Sequence, residues 1–399
     1  MPENNLGGPM NVLFLNTSRA WGGGEVSLTQ IVNALKVRGH AVTVACRRGS
    51  ALHLRMQNAA PDVVPLRFGG DIDPFTIGRI ARLIARRSID VVCVHTEKEL
   101  RIGGTASLLA GVPVIVSREV DFPIKDSYLN RLFYGRVASL VIANSYATKN
   151  TLLISAPWLD SAKIHVVWKG VDPGQFRHAT NGHLREEFHI GKDESLIGFV
   201  GRLDEQKGLA TLLEAMAILV ARHKNAKLVL AGEGNLRNFV TEFLRERHLE
   251  THAYLAGFVD DIPGFLKGID FLVLPSNWEG FGYAAVEAMA AGKAVVASHV
   301  SSIPEIVDDH RTGLLVPPRS PERLADAMVA LVDHPRLRNE MGKAGARKVE
   351  NVFSLSTMIG QVESLLMDAA SSRRPAGGKA GAPVRFPLAS LRLFYHLLF

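Results

Sequence analysis

The run Asp270-Phe271-Leu272-Val273-Leu274-Pro275 is followed, three residues later, by Glu279-Gly280-Phe281-Gly282-Tyr283-Ala284-Ala285-Val286-Glu287-Ala288-Met289-Ala290-Ala291-Gly292-Lys293. The first stretch is unbroken and apolar and predicts a strand; the second predicts a glycine-rich bend that opens a helix. Glycines there let the backbone approach a ligand closely, and a helix start offers unpaired N–H groups at the positive end of its dipole. Glu279 falls on the loop at the strand's carboxyl end, and Glu287 lies one turn and a little further along the helix. Two fixed carboxylates around an anion-friendly loop suit a ligand carrying both hydroxyls and phosphates, as a nucleotide sugar does. One carboxylate can accept from both vicinal hydroxyls of a ribose. Glu287 is assigned to that task because its helix starts where the phosphates would sit, and Glu279 would then face the hexose hydroxyls. The plain alternative is two solvated glutamates near a helix start.

Working outward, the first half alternates short β-rich runs with helical periodicity. Asn11–Leu15 reads as a strand; Leu28, Ile31, Val32 and Leu35 then recur at helical spacing, and Gly39 closes that helix. Further strands are read at Ala41–Cys46, Asp90–Val94, Pro113–Val116 and Ser139–Ala143. The pattern restarts at Ser195–Val200, with a helix from Leu209 to Val220 and strands at Lys227–Ala231, Asp270–Leu274 and Ala294–Ala297. Unbroken apolar strands separated by helices indicate parallel sheets covered on both faces. The expected fold class is α/β, with two doubly wound Rossmann-like domains at roughly 10–168 and 172–350. The Gly- and Pro-containing stretch from Lys163 to Gly174 is read as a hinge. Residues 353–369 form a final amphipathic helix. Residues 370–399 are a flexible linker, Ser371 to Gly381, and an apolar tail, Leu388 to Phe399, too short to span a bilayer but able to lie on one or dock on a partner.

Two more loops carry chemistry. Val200-Gly201-Arg202-Leu203-Asp204-Glu205-Gln206-Lys207-Gly208 follows the first strand of the second half. Arg202 can grip phosphate oxygens in a fork and Lys207 adds a point charge; cations in place would stabilise a departing diphosphate. Surface charges on a βα loop are the bland reading. Gly22-Gly23-Gly24 stands between the first strand and the first helix, as a phosphate-approach loop or a plain turn.

The chain has 399 residues, 47% of them apolar and 21% charged, which fits a globular protein of two domains. Its only cysteines, Cys46 and Cys93, lie in apolar strand-like runs, which excludes a disulfide framework and fits a reducing compartment. The start lacks a basic and apolar leader, and no apolar run reaches the ~20 residues of a membrane span. A net charge of +7 favours anionic partners.

With these loops in view, the chain resembles the retaining GT-B glycosyltransferases of family GT4. The likeness runs from residue 11 to about 368. It rests on Gly22-Gly23-Gly24, Asn144-Ser145, Val166 to Asp172, Gly201-Arg202 with Lys207-Gly208, Ala231-Gly232-Glu233-Gly234, Glu279 to Glu287, and Pro304-Glu305-Ile306-Val307 with Gly313-Leu314-Leu315-Val316. The resemblance implies two domains facing each other across a cleft. The second would hold a nucleotide-sugar donor, a UDP-sugar above all, through the loop Gly280-Phe281-Gly282 and Glu287; the first would take the acceptor, with the helix 353–369 crossing back onto it. It implies that Arg202 and Lys207 hold the diphosphate, Glu279 the donor sugar and Glu287 the ribose, with no metal and no cofactor. The expected activity is retaining hexosyl transfer to a hydroxyl of a glycan or lipid-linked acceptor, as in cell-envelope polysaccharide or lipopolysaccharide synthesis, by a cytoplasmic enzyme peripheral on the inner face of the cell membrane. An anionic membrane surface is thus a further expected partner; nucleic acid is not.

Two departures stand out. Many relatives carry an acceptor-side His where this chain reads Val116-Ser117-Arg118-Glu119, so Glu119 stands in that position. Glycines frequent before the Pro-Glu are replaced by Ser301-Ser302. Weaker signals are His95 at a strand end, which could touch the acceptor or be a buried core histidine, and Asp71-Ile72-Asp73, whose metal-holding reading is disfavoured by its place outside the donor loops. Arg79, Arg82, Arg86 and Arg87 give a short helix a basic face that could meet anionic lipid, or simply water. The rival functions are a nucleotide-sugar epimerase on the same fold and a non-catalytic protein that binds an anionic surface or nucleic acid.

Overall fold

The structure, a computed structural model, describes residues 8–57, 62–70, 72–180 and 183–372. The linker from residue 373, the apolar tail and Asp71 lie outside the described residues. The chain divides into two compact units. Unit 1 takes the residues up to Asn144, Thr148–Val167 and those from Ile359 on; unit 2 takes Ser145–Ala147 and Trp168–Met358.

Among the described residues unit 1 has seven strands: β1 Asn11–Asn16, β2 Ala41–Arg47, β3 Asp62–Leu66, β4 Val91–Val94, β5 Val114–Arg118, β6 Leu140–Ala143 and β7 Ile164–Val166. They pair in the order β3-β2-β1-β4-β5-β6-β7, parallel throughout. Unit 2 has β8 Ser195–Val200, β9 Ala226–Ala231, β10 Ala253–Gly257, β11 Phe271–Leu274, β12 Ala294–Ser298 and β13 Gly313–Val316. Their order is β10-β9-β8-β11-β12-β13, again parallel. Both sheets are doubly wound α/β. In each the order reverses beside the first strand, at β1/β4 and at β8/β11. The loops leaving the carboxyl ends of those strands diverge there and open the crevice in which such folds bind ligands.

The alternation of side chains explains why the strands read as continuous apolar runs. In unit 2, Ile197, Phe199, Leu228, Leu230, Phe271 and Val273 enter one core; Leu196, Val229, Leu272, Leu274 and Val295 enter another on the opposite face. With both faces covered by helices, no position of a central strand can be polar without a buried partner.

The stretch from Lys163 to Gly174 contains regular structure. Ile164–Val166 is β7, and Asp172 caps the helix Pro173–His178 by accepting from Gly174 N at 2.9 Å. Val171 N donates to Phe353 O at 2.9 Å and Leu355 N to Val171 O at 2.7 Å. Asp73 is likewise a helix cap: its carboxylate accepts from Phe75 N and Thr76 N at the start of Pro74–Arg86. The last helix, Leu355–Ser371, carries Glu363, whose carboxylate takes hydrogen bonds from Arg38 and, at 2.7 Å, from His40 of unit 1. No helix of the described residues is long and apolar enough to cross a membrane.

Candidate functional site

In unit 2 the loops after β8 and β11 meet at the switch point. Gly208 stands between them with φ +65°, in the left-handed region, and starts the helix Leu209–Arg222. A methyl group there would lie 2.0 Å from Pro275 O, so only glycine lets the two loops touch. Asn277 N donates to Gln206 O at 2.8 Å, Asn277 Nδ2 to Glu205 O at 2.7 Å and Gln206 Nε2 to Trp278 O at 3.2 Å. The stitching carries Lys207 to Glu279: Nζ lies 2.6 Å from Oε1.

Glu279 is buried, and Ser276 Oγ donates to the same Oε1 at 2.7 Å. Ser301 Oγ accepts from Glu279 N at 3.3 Å, so one of the serines replacing a glycine supports this carboxylate's own backbone. Gly282, at φ +88°, begins the helix Tyr283–Ala290, so two helix N-termini open onto this end of the sheet. Ser302 Oγ holds the bend by donating to Phe281 O at 2.8 Å. The Phe281 ring is buried 6.1 Å from that of Phe353, so the residue's aromatic part belongs to the core and its backbone to the bend.

Glu287 is half-buried on the helix Tyr283–Ala290, and no hydrogen bond or ion pair among the described residues reaches its carboxyl. Desolvation by burial pushes that carboxyl up to about 7. Arg202 shares the β8 loop but is turned outward: its side chain is 69% exposed, with Nη2 3.1 Å from Asp204 and 3.0 Å from Gln206 Oε1. Lys207 and Glu279 are thus in contact, whereas Arg202 and Glu287 touch neither of them.

Unit 1 gathers a second set at its own switch point. Glu119 Oε1 lies 3.4 Å from His95 Nδ1 and accepts from Ser117 Oγ at 3.4 Å. Gly22 precedes the helix Gly23–Val37 in extended backbone, and Gly23 and Gly24 form its first turn. A methyl group on Gly24 would come within 3.1 Å of Glu119 Oε2, so the glycine leaves room for a carboxylate beside the helix start. His95, Glu119 and Gly24 therefore converge.

Sequence reasoning missed Glu99, the buried residue that fixes this arrangement. It accepts from Thr17 N at 2.6 Å and Oγ1 at 2.9 Å, and from His95 N at 2.7 Å and Thr96 N at 3.1 Å, tying the β1 loop to the β4 loop. Thr96-Glu97-Lys98-Glu99 is a capping box, the signal that could have found it. Within unit 2, Glu305 likewise receives Tyr146 N, Ala147 N and Trp168 Nε1 at 2.8–2.9 Å; its Pro-Glu motif was visible but not its task.

The family "Glycosyl transferases group 1" matches residues 182–348, and "Glycosyltransferase Family 4" matches residues 21–175. The UDP-Gal:alpha-D-GlcNAc-diphosphoundecaprenol alpha-1,3-galactosyltransferase of Escherichia coli is 26% identical over 301 residues, covering 72% of this chain and 77% of that protein. An uncharacterised glycosyltransferase of Methanocaldococcus jannaschii is 36% identical over 169 residues; there the match covers 41% of this chain and only 43% of the relative. Among solved structures, a glycosyltransferase of Rickettsia africae superposes with a TM-score of 0.83 at 21% identity, over 90% of this chain and 98% of that one, and shares the fold.

Proposed function

The chain belongs to the glycosyl transferases of group 1, family 4 type, and from that premise we propose that it moves a hexose from a UDP-sugar, with retention at the anomeric carbon, to a hydroxyl of a glycan or lipid-linked acceptor. The observation that carries this is the meeting of Lys207 and Glu279 at the β8/β11 switch point, between two helix N-termini. Without donor, the two charges hold each other in place.

With donor bound, Lys207 takes a diphosphate oxygen and Glu279 accepts from hexose hydroxyls. Arg202, exposed on the same loop, swings onto the diphosphate. Glu287 accepts from the ribose hydroxyls. The bond between the anomeric carbon and the diphosphate oxygen breaks as the acceptor oxygen bonds to that carbon from the same face. The acceptor's proton passes to the departing phosphate oxygen, so the nucleoside diphosphate leaves protonated. Lys207, Arg202 and the helix-start amides stabilise the charge that develops, an effect worth about 3–4 kcal/mol for one well-placed donor group. None of these steps uses a metal or a cofactor.

The E. coli relative's name states a UDP-sugar donor and a lipid diphosphate acceptor, which favours envelope glycan synthesis. The net charge of +7 fits work at the anionic inner face of a cell membrane, from the cytoplasm.

A thermal-shift screen across UDP-, GDP- and ADP-sugars, followed by a transfer assay with the product anomer read by NMR, tests the reading. Selective stabilisation by UDP-sugars and an α-linked product from an α-donor are expected. Stabilisation by none of the three, or an inverted product, overturns it.

A further inference from the structure

Unit 1 contains a cavity of about 290 Å³ at the carboxyl ends of β1, β2 and β3. Four arginines line it: Arg19 from the β1 loop, Arg47 and Arg48 from the end of β2, and Arg67 just after β3. Phe68 and Ser50 are its buried walls. Arg47 is fixed, with Nε donating to Thr17 O at 2.9 Å and its guanidinium 5.9 Å from the Phe68 ring centre. Arg19, Arg48 and Arg67 are exposed at the rim, and no ion pair to any of them occurs among the described residues. Asp62 and Asp73, the described acids on either side of Arg67 in the chain, are committed elsewhere: Asp62 to Arg87, Asp73 to the amides that start Pro74–Arg86.

Four guanidiniums around one cavity repel one another and gain most from a multiply charged anion. Their planar donor forks match phosphate oxygens two at a time. The donor's diphosphate is already assigned to unit 2. We propose that this pocket binds a phosphate or diphosphate group carried by the acceptor; this rests on the transferase reading only for the word acceptor, since the anion site stands on the arginines alone.

The test titrates inorganic pyrophosphate into the full chain by calorimetry, with and without saturating UDP, using wild type, R48Q, R67Q and the double variant. Both substitutions are at exposed rim positions, and a thermal melt confirms folding. Wild type should bind pyrophosphate with UDP present. Each substitution should weaken binding about tenfold, the loss expected for one charge-assisted contact. No binding under UDP, or equal affinity in the double variant, overturns the proposal. If UDP itself fails to bind, the donor assignment falls, while the variant comparison without UDP still reads the pocket.

The carrier is distinguished by two further arms, a soluble sugar 1-phosphate and a polyprenyl-diphosphate sugar in phosphatidylcholine vesicles. A loss of affinity in R48Q/R67Q in either arm supports the site and identifies its source. Unchanged affinity in both arms overturns it.

Discussion

Lys207 Nζ lies 2.6 Å from Glu279 Oε1, joining two loops whose residues stand 72 apart in sequence. Both side chains are largely withdrawn from water, so the pair is a structural tie in the free protein, and on the proposed reading both also hold the donor. Truncating one partner leaves a buried charge alone, which typically costs ~3–5 kcal/mol. K207A should therefore lower stability in urea and reduce transfer by ~10²–10³-fold. K207M/E279Q should regain much of the stability and none of the activity. A double variant as unstable as the sum of its singles would argue against direct coupling.

Gly208 tests the geometry separately from the charge. G208A adds one methyl group, 2.0 Å from Pro275 O, at a left-handed φ of +65°. The loops must part, so donor affinity should fall at least tenfold with Lys207 and Glu279 both present, and stability should drop by ~1 kcal/mol or more from backbone strain alone. Calorimetry with UDP-sugar checks this; wild-type affinity would refute the required contact.

Glu287 gives a pH dependence. Its carboxyl is pushed up to about 7 from an ordinary 4.5 by desolvation. Between those values the folded protein holds a proton that the unfolded chain has released, so stability falls as pH rises through that window, by ~3 kcal/mol at most. On the proposed assignment of Glu287 to the ribose, binding runs the other way, because the ionised carboxylate accepts from both ribose hydroxyls. UDP-sugar affinity should be about tenfold weaker at pH 6 than at pH 8. E287Q should abolish both slopes. Parallel pH profiles for wild type and variant would remove Glu287 from the donor site.

Glu363 should matter for folding and not for chemistry. Burial raises its carboxyl, but the hydrogen bonds from His40 and Arg38 outweigh that and hold it below the ordinary value. His40 Nδ1 accepts from Met10 N at 3.1 Å, which leaves Nε2–H to donate to Glu363. The stabilisation is full above the ordinary carboxylate range and is lost as pH falls through the lowered value. E363A should cost ~1–3 kcal/mol at neutral pH, leaving the buried His40 N–H unmet. A Tm unchanged at pH 7 would show that the last helix does not depend on this tie.

Of the thirteen strands among the described residues, nine could be read from the sequence, and the four that could not are β3, β7, β10 and β13. These are the outer strands of the two sheets. Central strands are buried on both faces and so must be continuously apolar, whereas β3 and β7 are partly exposed and admit Pro65 and His165, and β13, though mostly buried, is only four residues long and begins at Gly313. The same contrast governs the site. Glu279, Lys207 and the glycines are local punctuation and showed themselves; Ser276, Ser301 and Glu99 are ordinary residues whose importance lies in what they touch.

The sequence by itself determined the two doubly wound domains, the donor-type loops and the family, because burial on both faces and left-handed glycine positions constrain residue type along the chain. Only the tertiary structure decided that Lys207 meets Glu279, that Arg202 turns outward, that His95 and Glu119 converge beside Gly24, and that four arginines ring one cavity. Apart from the turn of Arg202, which bonds within its own loop, those relations join loops from different strands, and their geometry is set by strand order and packing, which no local pattern encodes.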